Sequence, residues 1–529
     1  MTALPNVTAT GPTALTLGQL LRERAQARPE ATFLVHNGEE ISYADFDARV
    51  DRVATAWLSL GLQHGDRIAI AGPNSPDWLA AYMASARIGT VLVTLNLAYR
   101  ESEFRYMLGQ SRARVVVCEA EADGFDFVAL LDQLKGDLPD LEHIVLTGAQ
   151  GSGHRRWDDL AHPEPDVEAV AAAGERVTPQ DPAVILYTSG TTGKPKGATL
   201  THRSLIASAA AQADRFEQTP SDVFLCPLPF NHVGGLTVAF GSALVSGGAV
   251  HVLPRFRPDL VFASLASVRP TILLGVPTMY AMMLGAEGHD DLDTASVRLC
   301  IVGGSNLEPA LAERITDMFA GTRLANLYGL SESSGACVIS PAEDDLAAVS
   351  RSIGTIIGDF EARVVDGEGS EVASGETGEL QVRGACVAAG YWEMPEASAQ
   401  TFLESGWLAT GDMVAMEADG HIRVLGRQKE MYVRGGLNVY PAETENLLSK
   451  HPWVAMCAVI GIPEPTFGET GCAFIVPVPG ATIDPEELRQ WCRASLAAYK
   501  VPDRFVIVDS LPLTPAGKIR KVALTPPTD

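Results

Sequence analysis

Lysine is scarce in this chain. Only eight of its 40 basic residues are lysines (135, 194, 196, 429, 450, 500, 518 and 521), and the other 32 are arginines. Positive charge is short altogether: 65 Asp and Glu leave a formal net charge of −25. Nucleic acid and anionic membranes need a basic field, so neither is expected as the main partner. Metal-ligand spacing is also missing. The eight cysteines (118, 226, 300, 337, 386, 457, 472 and 492) lie at least 15 positions apart, with no CxxC or His/Cys cluster. Neither structural zinc nor a disulfide framework is indicated, and free buried thiols in a reducing cytoplasm are expected. Residues 1–20 lack a basic segment followed by an apolar run, so no export signal is expected. The nearest thing to a membrane span is the uncharged stretch Val233–Val250, which is marginal in length and broken by Gly234, Gly235, Gly241, Gly247 and Gly248. It reads as a buried helix, a turn and a strand, and no stable membrane insertion is expected.

What is present fits a globular enzyme. Hydrophobic residues make up 46% and charged residues 20% of 529 positions. That length exceeds one core, since single cores stop growing beyond roughly 250–300 residues. Helix-period spacing over Leu17–Arg28 and Tyr43–Leu60 alternates with short apolar runs at Arg67–Ala71, Val115–Cys118 and Val184–Leu186. Such alternation predicts an α/β fold with layered, largely parallel sheets. Residues 350–425 turn Gly-rich, with β-forming runs at Glu379–Arg383 and His421–Leu425, and predict a β-rich subdomain. After Gly426 come a helix over Pro441–Ser449, strands at Ala455–Ile460 and Ala473–Val476, a helix over Pro485–Leu496 and a strand at Arg504–Val508. Two domains are expected: 1–426, and a small α+β domain over 427–529.

The strongest local signal is the segment from Tyr187 to Gly197, YTSGTTGKPKG, which follows an apolar strand and holds two of the eight lysines. Glycines let backbone N–H groups turn toward an anion, hydroxyls add donors, and ammonium groups neutralise phosphate charge. A Walker A loop needs GxxxxGK followed by Ser or Thr; here Gly190 and Lys194 are too close, and Pro195 follows the lysine.

This segment resembles the phosphate loop of the adenylate-forming superfamily: acyl- and aryl-CoA synthetases, peptide-synthetase adenylation domains and firefly luciferase. The resemblance covers nearly the whole chain and is closest to the AMP-forming acyl-CoA synthetases. It implies that Thr188, Ser189, Gly190, Thr191, Thr192, Gly193 and Lys194 contact the ATP phosphates. Tyr328-Gly-Leu-Ser-Glu332 resembles the YGxTE element, so Tyr328 would stack on adenine and Glu332 would help hold Mg²⁺. Gly303-Gly-Ser-Asn-Leu307 resembles the segment flanking the adenine and acyl sites. Gly303, Ser305, Asn326, Gly329 and Ser331 are thereby expected nucleotide-binding positions. Trp407-Leu-Ala-Thr-Gly-Asp412 resembles the element whose Asp grips the ribose hydroxyls, a task suited to a carboxylate that accepts both. Gly426 to Pro441 resembles the hinge and the start of a mobile C-terminal domain. Arg427 would reach ribose or phosphate, Lys429 would be the pivot, and the Gly435–Gly436 turn would face the acyl-adenylate in the second step. Glu430 stands where Asp is commoner. Pro512 to Lys518 resembles the C-terminal PxTxxGK segment, whose Lys518 would bridge the attacking carboxylate and the α-phosphate.

Pro227 to Leu236 resembles one wall of the acyl pocket, and His232 matches a histidine that gates the carboxylate. Asn231 and His232 carry no negative charge to hold an ammonium, which disfavours an α-amino acid. Gly234, Gly235, Gly303 and Gly304 are expected to leave space, so the acid should be bulky or long and largely apolar. The reaction implied is ATP- and Mg²⁺-dependent formation of acyl-AMP, then transfer to coenzyme A. Two anions meet in that first step, so cations must be held at its transition state. Alternatives remain: transfer to a carrier-protein phosphopantetheine or a partner enzyme, a kinase-like ADP-forming ATPase, or a non-catalytic nucleotide-binding scaffold. A monomer or homodimer is expected.

Overall fold

Strands that are apolar on both faces set the layering. In Arg67–Ala71, Ile68 and Ile70 pack into one core, and Ala69 and Ala71 into another. Burial on both faces is what a parallel sheet covered by helices requires. The computed structural model describes residues 14–148, 153–161, 164–188, 195–305, 307–513 and 519–526.

The first sheet has seven strands in the spatial order Lys196–Thr201, Pro182–Thr188, Val91–Thr94, Arg67–Ala71, Val115–Glu119, His143–Thr147 and Arg155–Arg156. It is parallel apart from the antiparallel edge pair of Lys196–Thr201 with Pro182–Thr188. The second has nine strands, with Arg323–Leu330, Leu299–Gly303, Ile272–Gly275, Val223–Cys226, Ala249–Val252 and Thr32–His36 running parallel across its middle. Residues of both sheets share one core with the helices His202–Arg215 and Pro76–Ile88. A four-stranded antiparallel sheet follows: Glu361–Val365, Thr377–Arg383, Leu408–Met416 and Ile422–Arg427. The α/β layering and the β-rich subdomain are as the sequence predicts.

Three of the N-terminal helices are tied by buried charge. Arg87 bonds Asp51 at 2.6 Å and also Asp47, while Arg22 reaches Asp47 at 2.5 Å and Asp51 at 2.8 Å. The pairs join Leu17–Ala27, Tyr43–Ser59 and Pro76–Ile88.

Val233–Val250 does form a helix, a turn and a strand, but the helix winds as π over Gly234–Gly241 before continuing as α over Ser242–Ser246. Gly247 closes it at φ 77°, and Ala249–Val252 is the strand. π turns are rare and cluster at functional sites. A Cβ on Gly235 would lie 2.5 Å from the Pro229 carbonyl oxygen, so the chain can approach itself here only through glycine.

Strand Ile422–Arg427 ends in a turn at 428–430, and Tyr432–Arg434 opens the C-terminal sheet. That sheet pairs Tyr432–Arg434, Leu437–Val439, Val454–Glu464, Gly468–Pro477 and Arg504–Ile507, with helices Pro441–Leu448 and Pro485–Ser495 beside it. Gly435 and Gly436, at φ 58° and 83°, make the two-residue hairpin turn that positive φ at both positions demands. All eight cysteines are buried and unpaired. Among the described residues, no helix is long and apolar enough to cross a membrane.

Candidate active site

The strands that flank residues 189–194 are paired through Thr188 and Lys196, and Thr188 Oγ1 donates to the Lys196 carbonyl at 3.4 Å. Ser189, Gly190, Thr191, Thr192, Gly193 and Lys194 lie outside the described residues. Helix Glu101–Ser111 braces both flanks: Tyr187 Oη bonds the Met107 carbonyl at 3.2 Å and Gln110 Oε1, and Tyr106 Oη donates to the Pro195 carbonyl at 3.1 Å.

Two motifs far apart in sequence meet at Asp412. Its buried carboxylate accepts from Tyr328 Oη at 2.5 Å through Oδ2 and pairs with Arg427 Nε at 3.0 Å through Oδ1. The strands make this contact: Asp412 pairs with Arg427 in register, and Tyr328 lies on Arg323–Leu330 of the second sheet. Burial, then the Asp412 charge, raises the Tyr328 hydroxyl pKa well above its ordinary value, and Asp412 raises that of Arg427.

Glu332 is held by a residue that no sequence motif marked. Tyr391 Oη donates to Glu332 Oε1 at 2.7 Å, and Lys196 Nζ lies 4.8 Å from the Tyr391 ring centre. Burial, then Glu332, pushes the Tyr391 hydroxyl pKa up. Tyr391 is placed by main-chain pairing of Ala198 with Tyr391 and by Trp392 N–H donating to the Gly197 carbonyl at 2.7 Å. Oε2 of Glu332 has no partner among the described residues, and a free carboxylate oxygen is a ligand that suits Mg²⁺.

His232 stands two positions before the π-helix. Its Nδ1 accepts the Gly234 N–H at 3.1 Å, so a neutral ring carries its proton on Nε2. Gly234, Gly235 and Gly303 do not leave space. A Cβ on Gly303 would lie 2.5 Å from Leu327 Cδ1, and one on Gly234 would lie 2.8 Å from Leu228 Cδ1, so neighbouring side chains already fill these positions. The same holds at Gly329, where a Cβ would lie 2.1 Å from the Gly335 carbonyl oxygen. Gly304 and Ser305 are exposed after the strand Leu299–Gly303, and Ser331 is buried in a short 3₁₀ turn with Glu332. Asn326 Nδ2 holds the Val349 and Ser352 carbonyls at 3.3 and 3.1 Å, while its Oδ1 has no partner among the described residues. Lys429 is exposed in the turn between the domains, and Gly435 N–H donates to the Phe467 carbonyl at 2.8 Å. A cleft of about 760 Å³ beside Arg215, Glu343 and His421 contains none of these residues.

Lys518 lies outside the described residues. Lys521 pairs with Glu430 at 2.6 Å and with Glu445 at 2.8 Å. Glu308, at the head of helix Pro309–Met318, meets the C-terminal domain at Ser449 and Lys450. Burial raises its pKa to about 7 against the pull of Ser449 and Lys450. Neither Tyr391 nor Glu308 stands in a motif, and only the pairing of distant segments exposes them.

A layered α/β body, a separate α+β C-terminal domain and this arrangement of acidic and aromatic groups are those of an AMP-binding enzyme. Residues 21–392 match the AMP-binding enzyme family and residues 443–518 its C-terminal domain, and the chain belongs to that family. It is 32% identical over 532 residues to the "Putative acyl-CoA synthetase YngI" of Bacillus subtilis (strain 168), covering 96% of both chains. It is 34% identical over 509 residues to the "Feruloyl-CoA synthase" of an Amycolatopsis species, covering 96% of this chain and 97% of that one. Among solved structures, the anthranilate CoA ligase AuaEII in complex with anthranoyl-AMP aligns with a TM-score of 0.88 at 27% identity, covering 97% and 96% of the two chains. The protein is an AMP-forming acid:CoA ligase with ATP and CoA as substrates.

Proposed function

We propose that the enzyme activates a bulky, largely apolar carboxylic acid as its acyl-adenylate, releases pyrophosphate, and passes the acyl group to the thiol of coenzyme A. The observation that carries this reading is the Asp412 carboxylate held between Tyr328 and Arg427. A carboxylate so placed suits the two ribose hydroxyls, with the Tyr328 ring against adenine. The apolar wall from Leu228 to Phe240 favours an apolar acid. Relatives whose names specify feruloyl and anthraniloyl groups support a bulky one.

In the first step a substrate carboxylate oxygen bonds to the α-phosphorus as the bond to pyrophosphate breaks. Thr188 to Lys194 would cradle the phosphates, and His232 Nε2–H would orient the substrate carboxylate. Mg²⁺ bound through Glu332 Oε2 would neutralise charge on the leaving phosphates. Lys518 would bridge the two reacting groups. In the second step the CoA sulfur bonds to the acyl carbon and AMP leaves. Rotation about Lys429 would withdraw Lys518 and bring Gly435–Gly436 to the adenylate.

Mass spectrometry of reactions with ATP, Mg²⁺ and a library of acids, run with and without CoA, tests the reading. AMP and pyrophosphate are expected with every accepted acid, and an acyl-CoA mass only when CoA is present. Acetate or propionate as the best substrate would overturn the bulky acid. Acyl-AMP without thioester would point to a carrier protein or partner enzyme instead.

A further inference from the structure

Gln110, near the end of helix Glu101–Ser111, uses both ends of its amide on segments that carry the proposed nucleotide site. Its Oε1 accepts from Tyr187 Oη, two positions before residues 189–194. Its Nε2 donates to the Trp392 carbonyl at 2.6 Å, next to the tyrosine that holds Glu332. Acceptor meets phenol and donor meets carbonyl, so the amide is used in one orientation. Tyr106, four positions earlier on the same helix, shares the face of Gln110. Its hydroxyl donates to the Pro195 carbonyl at 3.1 Å, on the other flank of residues 189–194.

From Trp392 the contacts run on to Glu332. Trp392 N–H donates to the Gly197 carbonyl at 2.7 Å, Thr199 N–H to the Gly390 carbonyl and Ala389 N–H to the Thr199 carbonyl, both at 2.9 Å. The run 389–392 thus lies as an edge along strand Lys196–Thr201. Ala388 N–H donates to the Glu332 carbonyl at 2.9 Å, and Tyr391 Oη to Glu332 Oε1 at 2.7 Å. One segment therefore holds both the main chain and the side chain of Glu332, and Gln110 ties that segment to Tyr187. Reacting groups need placement within about 0.5 Å, so a small tilt of this edge would displace the carboxylate.

We propose that Gln110 is a positioning residue for the adenylation step. It sets the spacing between residues 189–194, which would cradle the ATP phosphates, and the Glu332 carboxylate, which would hold their Mg²⁺. It touches neither substrate nor metal and acts through Tyr187 on one side and Tyr391 on the other. The inference rests on the reading of Glu332 above and extends it. The effect belongs to one half-reaction, because pyrophosphate has left before the thiol attacks.

In Gln110→Glu one carboxylate oxygen still accepts from Tyr187, while the other faces the Trp392 carbonyl and repels it. Gln110→Met removes both contacts without adding charge. Calorimetry measures the binding of α,β-methylene-ATP to each variant with and without Mg²⁺, and the two half-reactions are assayed separately. In both variants the gain in affinity on adding Mg²⁺ is expected to shrink about tenfold, and acyl-AMP formation to slow about tenfold. Thioester formation from supplied acyl-AMP should keep the parent rate. On a Tyr391→Phe background, Gln110→Glu should cost less than about threefold more, since both substitutions reach Glu332 through one contact. A merely structural role would slow both half-reactions together and weaken the analogue equally with and without Mg²⁺. That result would overturn the inference, as would full additivity with Tyr391→Phe. Should Tyr391→Phe shrink the Mg²⁺ gain and neither Gln110 variant do so, the role of Gln110 falls and the reading of Glu332 stands. A Mg²⁺ gain untouched by Tyr391→Phe would remove both.

Discussion

Tyr328 Oη donates to Oδ2 of Asp412 at 2.5 Å, joining positions 84 residues apart. Arg427 holds the other oxygen of the same carboxylate at 3.0 Å. In the proposed role of Asp412 as the ribose ligand, its carboxylate would be aimed before nucleotide arrives. The phenol stays protonated, because burial and the adjacent charge both oppose its ionisation. A ribose hydroxyl that docks on Oδ2 competes with a neutral donor, which is easier to displace than the paired guanidinium.

Asp412→Ala is accordingly expected to raise the KM for ATP by roughly 10–100-fold, the equivalent of about 1.5–3 kcal/mol for hydrogen bonds to a charged group. Tyr328→Phe keeps the ring and loses only the displaceable donor, so its KM for ATP should stay within about threefold. Pyrophosphate release at varied ATP reads both. Equal damage from the two variants would mean that the phenol oxygen is itself a nucleotide ligand.

Tyr391 gives a second prediction. Its hydroxyl fixes one oxygen of Glu332, and its ring keeps Lys196 4.8 Å away. Tyr391→Phe removes the first contact and keeps the second, since a Phe face also attracts a cation. The half-maximal Mg²⁺ concentration for adenylation should rise, and kcat should fall about tenfold, the value of one hydrogen bond to a charged group. The KM for the acid should not move. A Mg²⁺ titration unchanged in the variant would separate Tyr391 from metal binding.

Legibility in the sequence followed chain distance. Tyr328, Glu332, Asp412 and Arg427 stood out because each lies in a short patterned segment. The joining of Tyr328 and Arg427 at Asp412 did not, because it depends on where two sheets meet. Tyr391 was invisible for the same reason: strand pairing with Ala198 places it, and its own neighbours carry no pattern. The π winding of Gly234–Gly241 was hidden because every residue there is buried, so no polar face marks a period. The glycines at 234, 235 and 303 misled outright. A missing side chain reads as room, yet here Leu228, the Pro229 carbonyl and Leu327 occupy the place it would take. Layered α/β architecture was legible because apolar runs and helical periods are local signals.

The buried Arg87 network sets a prediction about stability. Arg87→Met would leave Asp47 and Asp51, both buried, with only Arg22, whose side chain is 37% exposed. Breaking a buried pair from one side costs about 3–5 kcal/mol. The melting temperature should drop sharply, with near-normal activity in the molecules that remain folded. Adding Asp51→Asn should recover part of the loss by removing one stranded charge. A double variant as unstable as the single one would assign the loss to packing of the arginine stem.

Lys518→Ala separates the two half-reactions. If this lysine bridges the carboxylate and the α-phosphate, acyl-AMP formation should fall by about 10²–10³-fold, the range for a lost transition-state donor. Thioester formation from supplied acyl-AMP needs no such bridge and should stay near the parent rate. Equal loss in both half-reactions would contradict the division of labour between the two domain positions.

Glu308 is expected to make docking of the C-terminal domain sensitive to pH. Its carboxyl has a pKa of about 7 where the C-terminal domain covers it, against an ordinary value of 4.5. The groups that face it are the Ser449 hydroxyl, Lys450 and Glu445, and the last is itself raised by burial. Rotation of the domain would return Glu308 to water and to its ordinary value. The docked arrangement binds the proton more tightly, so its contribution is full below 4.5 and is lost as pH rises through about 7. Glu308→Gln mimics the protonated form and should hold the docked arrangement across that window. A fluorescence pair placed across the two domains would report docking from about pH 5 to about pH 8, within which the wild type should open and the variant should not. Identical titrations for the two proteins would move the sensing group to Glu445, whose bond to Lys521 opposes the same burial.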